Sequence, residues 1–254
     1  MTPAFDATAA SFERHRALPS HVPEAIRSAI WAAVNVPTPA KVLDIGAGTG
    51  RIGRAFVDAG DFYVGVDTSL AMLLKFPADP KHSILAQADG RQLPFRNSAF
   101  DVVLLMQVLS GAVDSRSILE EARRVLRPAG SVVVGHTISP ESGVDAKMKN
   151  QLTTILEEMQ VAWHRPRESR RQALAWLESS AKRHVHSVAA SWNVSTTAEE
   201  FLERHRTGAR FAALPAEVQE RALSKLHAWA ERTFGAADVS FQEKRSFELD
   251  IFEF

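Results

Sequence analysis

A glycine-rich segment with one acidic residue is the part of this sequence best suited to bind a ligand. The stretch KVLDIGAGTGRIG, residues 41–53, begins as an apolar strand, turns at Gly46, Gly48 and Gly50, and continues into a helix. Glycines at such a turn let the backbone approach a ligand more closely than a side chain would permit. Asp44 adds a carboxylate to the same crevice, which suits a ligand with a positively charged amino-acid end better than a bare pyrophosphate.

The same glycines allow a second interpretation, a dinucleotide-binding loop. Gly48, Gly50 and Gly53 spell G-x-G-x-x-G, and Asp67 lies near the distance at which a dinucleotide fold places its ribose-binding acid. In that register, however, the apolar strand should lead directly into Gly48, and an aspartate and an earlier glycine interrupt it. The loop alone therefore favours a ligand with an amino-acid end, but it does not exclude a dinucleotide ligand.

Three further segments place polar or small residues where a predicted strand ends. They are DFYVGVDTSLAML, QADGRQLPF and FDVVLLMQVLSG, and the block EARRVLRPAGSVVV follows them. With the glycine loop, these segments resemble the class I, Rossmann-like, S-adenosylmethionine-dependent methyltransferases of the small-molecule type, in order and in rough spacing. The resemblance covers Lys41 to Gly135, and the final FELDIFEF is more loosely similar to that family's closing strand. As a set, the motifs displace the dinucleotide interpretation.

The resemblance implies that S-adenosylmethionine is the cofactor. Asp44 and the three loop glycines would hold its methionine end, and Asp67 would accept hydrogen bonds from both ribose hydroxyls. Met72 could pack on the adenine face. The remaining candidates follow the next two strands: Asp89 and Gly90 for the adenine, and Gln107 for the methionine portion or the substrate.

Each of these later residues also has a plain structural interpretation. Asp67 could cap the helix that starts near Ser69, in addition to or instead of binding ribose. The Asp89 and Gly90 pair could form a simple turn. Gln107 could end its strand without any function.

Composition and charge argue against several classes of function. The 254 residues include 30 Lys and Arg against 30 Asp and Glu, so no net field favours nucleic acid or an anionic membrane. Without cysteine there is no thiolate metal site and no cysteine nucleophile. The N-terminal residues lack a signal-peptide core, and no apolar run approaches membrane-spanning length. We expect a soluble, cytoplasmic protein with a small-molecule acceptor, no bound metal, and neither nucleic-acid nor membrane partners.

Alternating strands and helices between Lys41 and Val134 predict the fold. Near-continuous apolar runs separated by amphipathic stretches are typical of a parallel sheet that is covered on both faces. The last residues alternate apolar and polar, which predicts a strand or strand pair at an antiparallel edge. We therefore expect an α/β fold, a doubly wound, mostly parallel seven-stranded sheet with an antiparallel C-terminal edge strand and a helical cap insertion.

Shifts in composition divide the chain into three parts. They are a helical lid at residues 1–40, a Rossmann-like core at 41–141 and 235–254, and a helical cap at 142–234. Within the lid, Phe12 and Arg16 are predicted to close over the cofactor. The cap has helical periodicity with almost no strand signal, and we expect it to supply the substrate pocket. Its predicted apolar walls include Trp163, Trp192 and Phe211.

Histidines are the candidates for a general base, because the fourth strand offers none where similar proteins often carry a histidine or an aromatic residue. His136 follows the fifth strand and should face the crevice where open α/β sheets bind ligands. His184 and His186 form an H-x-H pair, for which a solvated face is favoured over a metal site. The alternatives to a small-molecule methyltransferase are an RNA or protein methyltransferase and a module that binds the cofactor without turnover.

Overall fold

The structure, a computed structural model, describes residues 17–37, 39–112, 114–163, 166–206, 209–236 and 238–254. The side chains of residues 166–169, 209 and 210 are not described. The predicted lid residues Phe12 and Arg16 lie outside the described residues.

A seven-stranded sheet forms the centre of the described residues, with the strand order β3-β2-β1-β4-β5-β7-β6. Its strands are β1 Lys41–Ile45, β2 Phe62–Asp67, β3 Ser83–Gln87, β4 Phe100–Met106, β5 Leu126–Ile138, β6 Arg183–Thr196 and β7 Phe241–Glu253. Strands β1 to β5 pair in parallel, and β7 runs antiparallel to both β5 and β6. The predicted fold class, an α/β fold with a mostly parallel seven-stranded sheet, is confirmed.

Helices cover both faces of this sheet. They are α1 His21–Ala33, α2 Gly53–Asp58, α3 Leu70–Leu73, α4 Ser115–Val125, α5 Val144–Glu158, α6 Pro166–Glu178, α7 Ala198–Arg206, α8 Ala209–Ala212 and α9 Ala216–Phe234. Helices α1, α2 and α3 bury apolar side chains against one face, and α4 and α6 against the other. The sheet is therefore doubly wound, as predicted.

Strand β4 shows why the central strands are continuous apolar runs in the sequence. All of its residues are buried. Val102 and Leu104 pack under α1 and α2, whereas Val103 and Leu105 pack under α4 and α6. Because successive side chains of a strand point to opposite faces, a strand that is covered on both sides needs apolar residues at every position.

The cap helices α5, α7 and α9 form a separate apolar cluster, with Met148, Phe201 and Leu226 fully buried in it. An ion pair between buried Asp145 on α5 and Arg204 on α7 joins two of these helices. The cap therefore has its own small core beside the sheet.

The expectation of an almost entirely helical segment at residues 142–234 is wrong at β6. This strand pairs with β7 along its whole length and forms one edge of the sheet. Most of its side chains are exposed or only half-buried, so the apolar run that marks the central strands is missing here. As a result, β7 is antiparallel as predicted but lies inside the sheet instead of at its edge.

Within the described part of the chain, no helix combines the length and the apolar character that crossing a bilayer requires.

Candidate functional site

A cavity of about 290 Å³ opens where the carboxyl ends of strands β1 to β4 meet. Its wall contains every predicted cofactor-binding residue except Gly50: Asp44, Gly46, Gly48, Asp67, Met72, Asp89, Gly90 and Gln107. The topology explains this convergence, because neighbouring parallel strands end at the same edge of a sheet. Residues that are distant in the sequence are thereby brought to one site.

Two glycines of the loop have different tasks. Gly48 has φ +56°, and a Cβ placed there would meet nothing closer than 3.8 Å, so a side chain would extend into the open cavity. Gly50 has φ +84°, and a Cβ placed there would lie 2.8 Å from Cδ2 of Phe76. Gly48 therefore keeps room for a ligand, whereas Gly50 allows the turn to pack on Phe76 without lining the cavity.

Asp44 gives the cavity a buried and unsatisfied acceptor. Its Oδ2 accepts a 2.6 Å hydrogen bond from the Tyr63 hydroxyl, and its Oδ1 has no hydrogen-bond partner although it is buried. Burial raises the pKa of Asp44 to about 7; the Tyr63 hydrogen bond opposes that rise, and nearby Asp67 adds to it. A buried acceptor without a partner is costly unless a ligand satisfies it. A cationic or hydrogen-bond-donating group of a ligand fits this position.

Asp67 connects the glycine loop to the second strand. Its Oδ2 accepts a 2.9 Å hydrogen bond from the backbone N–H of Gly48, and its Oδ1 accepts one of 2.9 Å from that of Ser69. The N-cap of α3 is Ser69 itself, whose hydroxyl accepts from the Met72 N–H. Asp67 thus orients the loop and the start of α3, and it also lies in the cavity wall.

Asp89 and Gly90 form a turn, as in their plain structural interpretation. Both residues also line the cavity. The backbone carbonyl of Asp89 accepts from the N–H of Gln92 at 2.9 Å. Arg91 lies 2.6 Å from the Asp89 carboxylate and lowers the pKa of that carboxyl. A Cβ on Gly90 would lie 2.7 Å from Cγ2 of Ile45, so the turn packs tightly on β1.

Arg51 is a residue of the cavity wall that the motifs did not single out. Its Nη2 donates a 2.5 Å hydrogen bond to Oε1 of Gln107, and Nε2 of Gln107 donates one of 2.8 Å to Oγ1 of Thr137 on β5. The signal that could have found Arg51 is its position directly after the last glycine of the loop.

His136 lies within β5 rather than after it, and it is not part of the cavity wall. Neither ring nitrogen has a hydrogen-bond partner, although both are buried. Burial, reinforced by the positive charge of Arg170 on α6, lowers the pKa of His136 to about 3. At neutral pH this imidazole is uncharged and only weakly basic.

The three aromatic residues predicted for the substrate pocket lie apart from one another. Phe211 is buried in the cap cluster, and Trp163 packs at its margin. Trp192 packs against a different cluster, on the face of the sheet that α1 and α2 cover. All three lie outside the wall of the described cavity.

The H-x-H pair on β6 contacts a buried carboxylate. Oδ1 of Asp250 lies 3.2 Å from Nε2 of His184 and 3.0 Å from Nδ1 of His186, and Arg170 approaches Oδ2. Both histidines therefore have a carboxylate partner on β7. Among the residues that the structure describes, no group of three or more histidine or acidic side chains could hold a metal.

Comparisons with known proteins agree with this fold. Residues 43–134 match the family model described as a methyltransferase domain. A demethylmenaquinone methyltransferase of Streptomyces griseus is 36% identical over 108 residues, which is 42% of this chain and 47% of that protein. A second one, from Paenarthrobacter aurescens, is 33% identical over 114 residues, 45% of each protein. The matched part thus spans about half the length of these relatives.

Solved structures extend the likeness of fold beyond the matched core. The YcgJ protein of Bacillus subtilis has a TM-score of 0.54 at 20% identity, over 90% of this chain and 97% of that one. Phosphoethanolamine N-methyltransferase 2 of Haemonchus contortus, in complex with phosphomonomethylethanolamine and S-adenosylhomocysteine, has a TM-score of 0.54 at 14% identity, over 97% of this chain and 57% of that one. At these identities the likeness establishes the fold.

Proposed function

We propose that the chain transfers a methyl group from S-adenosylmethionine to a small-molecule acceptor, because residues 43–134 match a family model described as a methyltransferase domain and the sheet has the mostly parallel order of a Rossmann-like fold. One observation carries the proposal: Asp44, whose buried Oδ1 has no hydrogen-bond partner, lies in the wall of the cavity beside the glycine loop. The ammonium group of the cofactor's methionine end is the kind of ligand group that would satisfy it.

The residues of the cavity fit the remaining parts of the cofactor. Asp67 and Asp89 supply carboxylate acceptors for the ribose hydroxyls and the adenine amine, and Met72 supplies an apolar surface for the adenine ring. Gly48 leaves the space that the cofactor would fill. The cofactor would supply an activated methyl group, carried on a positively charged sulfur.

The main contribution of the chain to catalysis is then to position the acceptor against the methyl group of the cofactor. Holding two reactants in line in a site without water accounts for much of the rate enhancement of such a transfer. A pKa of about 3 and a place outside the cavity wall make His136 a poor general base at neutral pH. We therefore assign no proton transfer to it, and the acceptor is best sought among groups that lose their proton readily or need to lose none.

The small-molecule acceptor is supported by the size of the cap and by the matched relatives, which include demethylmenaquinone methyltransferases. Helix α5 begins at Val144, shortly after β5 ends at Ile138, and it packs with α7 and α9 in one apolar cluster, so the cap starts from the carboxyl end of β5. Whether the acceptor is attacked at oxygen, nitrogen or carbon is left open in the proposal.

A turnover screen tests the proposal. The full chain is incubated with S-adenosylmethionine and separate pools of small-molecule phenols, hydroquinones and amines, of RNA and of protein, and the release of S-adenosylhomocysteine is measured. We expect release with a small-molecule pool. Release with RNA or protein alone would overturn the acceptor class, and cofactor binding without release in any pool would favour a module without turnover. The Asp44→Asn variant serves as the control for background hydrolysis.

A further inference from the structure

A second, open cavity of about 400 Å³ lies at the edge of the sheet opposite the candidate cofactor site. Its wall includes Ser98, which precedes β4, and Phe254, which follows β7. Among the described residues of this wall there are four cationic side chains and no acidic one, and the cations are Arg123, Arg124, Arg127 and Lys182. We call this the basic cavity. Its excess of positive charge suits an anionic ligand.

One of the four cations, Arg124, is fully engaged within the fold. Its Nε and Nη2 donate to the carboxylate of Glu121 at 2.6 and 2.7 Å. Its Nη2 also donates to the carbonyl of Leu93, and its Nη1 donates to the carbonyl of Phe95 and to Oδ1 of Asn97. These contacts use all five N–H groups of a guanidinium. Arg124 therefore holds the wall together, and we assign it no ligand.

The other three cations keep donors for a ligand. The guanidinium carbon of half-buried Arg123 lies 3.5 Å from the centre of the Phe254 ring. Burial lowers the pKa of Arg123, and no carboxylate among the described residues opposes that shift. Lys182 is exposed and likewise has no acidic partner in the described part of the chain. Arg127 gives one N–H group to Oδ1 of Asp101, at 2.7 Å.

The helix dipole explains only some of these cations. Arg123 and Arg124 lie in the last turn of α4, where a positive charge interacts favourably with the free carbonyl groups of the helix end. Arg127 belongs to β5, however, and Lys182 directly precedes β6. Cations from three separate segments thus meet at one cavity, and capping of a single helix does not account for that.

Two turns beside the basic cavity have an uncommon backbone conformation. Ser98 has φ +55°, and Ala129, which follows the wall residue Pro128, has φ +60°. The N–H of Ser98 donates to the carbonyl of Arg124, and the N–H of Ala129 donates to the backbone oxygen of Phe254. Residues other than glycine stay in this left-handed region only where their surroundings hold them. The elements that carry the wall therefore also fix its turns, and the cavity is preformed.

We propose that the basic cavity binds a phosphate-bearing anion through Arg123, Arg127 and Lys182. Guanidinium groups pair with phosphate oxygens through their planar forks, and a lysine ammonium adds a compact charge. Cations from three segments suit a ligand with several anionic oxygens better than a monovalent ion. A soluble phosphate compound and the headgroup of an anionic phospholipid share this chemistry. Because the two cavities lie at opposite edges of the sheet, the inference does not depend on the proposed function.

Calorimetric titration of the full chain with sodium pyrophosphate tests the proposal. We expect one pyrophosphate per chain with a dissociation constant below about 1 mM, and weaker binding as sodium chloride is added. Arg123→Gln should weaken the binding by about tenfold to a hundredfold, as expected for the loss of a charge-assisted contact. Lys182→Gln should weaken it by about threefold to tenfold, and because Lys182 is exposed this variant has little packing to lose.

Arg116→Gln is the matched control. Arg116 lies on the same helix as Arg123, but it is exposed, pairs with Glu120 and is not part of the wall. This variant loses the same charge and should keep its pyrophosphate affinity within about twofold. In all three variants the affinity for S-adenosylhomocysteine should stay within about twofold of the unmodified chain, since none of these residues lines the other cavity.

Cosedimentation with phosphatidylcholine vesicles, with and without phosphatidic acid, separates the two sources of phosphate. Binding of free pyrophosphate identifies a soluble ligand, whereas binding confined to the phosphatidic acid vesicles identifies a headgroup. Either result supports the proposal if Arg123→Gln and Lys182→Gln weaken the binding and Arg116→Gln does not. The proposal is overturned if the unmodified chain binds neither probe, or if all three variants bind as the unmodified chain does.

Discussion

The hydroxyl of Tyr63 donates a 2.6 Å hydrogen bond to Oδ2 of Asp44, and both side chains are buried. Tyr63 lies on β2 and Asp44 on β1, so the bond joins two neighbouring strands just below the cavity. It satisfies one oxygen of the carboxylate and leaves the other for a ligand. The charge state of Asp44 is therefore expected to link cofactor binding, stability and pH.

Asp44→Asn should stabilise the protein without ligand at pH 8 while it weakens cofactor binding. With a pKa of about 7, the folded protein keeps a proton that the unfolded chain loses near pH 4. The free energy of unfolding of the wild type therefore falls by roughly 1.4 kcal/mol per pH unit between those values. Asparagine removes this dependence. Urea unfolding should show the variant to be more stable by roughly 2–4 kcal/mol at pH 8, with the two curves converging near pH 4.

This account would be contradicted if, between pH 4 and pH 7, the stability of the wild type fell no more than the stability of Asp44→Asn. Calorimetry with S-adenosylhomocysteine at pH 8 should show a loss of at least about tenfold in affinity, because the neutral amide cannot pair with an ammonium group.

Tyr63→Phe should move the pH dependence of cofactor binding upward. The Tyr63 hydrogen bond favours the ionised carboxylate and so holds the pKa of Asp44 below the value that burial alone would give. Without the hydroxyl, a higher pH is needed to ionise Asp44. Affinity for S-adenosylhomocysteine should therefore be weakened at pH 7 and recover toward pH 9, whereas the wild type reaches its plateau earlier. Coincident pH profiles of the two proteins would show that Tyr63 does not tune Asp44.

Alanine substitutions at Gly48 and Gly50 should affect different properties. Both residues have positive φ, so both variants carry some backbone strain. At Gly48 the added methyl extends into the cavity, and calorimetry should show the larger loss of cofactor affinity. At Gly50 the methyl would collide with the Phe76 ring, and thermal unfolding should show the larger loss of stability. The reverse order of the two effects would contradict the assignment of the loop.

His136→Leu should make the protein less sensitive to acid. The folded wild type excludes a proton that the unfolded chain accepts below about pH 6.5, because the pKa of His136 is about 3 in the folded state. The stability of the wild type is therefore lost as the pH falls from 6.5 toward 3, and leucine removes this contribution. Urea unfolding at pH 7 and pH 4.5 measures the difference. Cofactor affinity should stay within about twofold, and a larger loss would place His136 at the cofactor site.

The parallel core and most of the cavity could be predicted from the sequence because each strand there carries its own signal. Strands such as β4 are buried on both faces, so their apolar runs are unambiguous. The glycine loop, Asp67 and Asp89 stand at the ends of these strands, and the topology alone brings them together.

Strand β6 and Arg51 could not be predicted in the same way. The residues of β6 form an edge whose pairing depends on β7, about fifty positions later, and its half-exposed side chains give no apolar run. Arginine is common on protein surfaces, so its type alone gives no signal at position 51. The place of Arg51 in the site follows from its contact with Gln107, which forms only when the sheet is assembled. The prediction for Trp163, Trp192 and Phe211 rests on their aromatic character alone, which equally suits the packed cores in which they lie.

Calorimetric titration of the full chain with S-adenosylhomocysteine and, separately, with NADH tests the central claim most directly. The unpartnered Oδ1 of Asp44 and the open position at Gly48 predict binding of one S-adenosylhomocysteine per chain, tighter than about 1 mM, at pH 8. They predict no measurable heat with NADH, whose pyrophosphate would be repelled by an ionised Asp44. Binding of NADH without binding of S-adenosylhomocysteine would contradict the account and restore the dinucleotide interpretation of the loop.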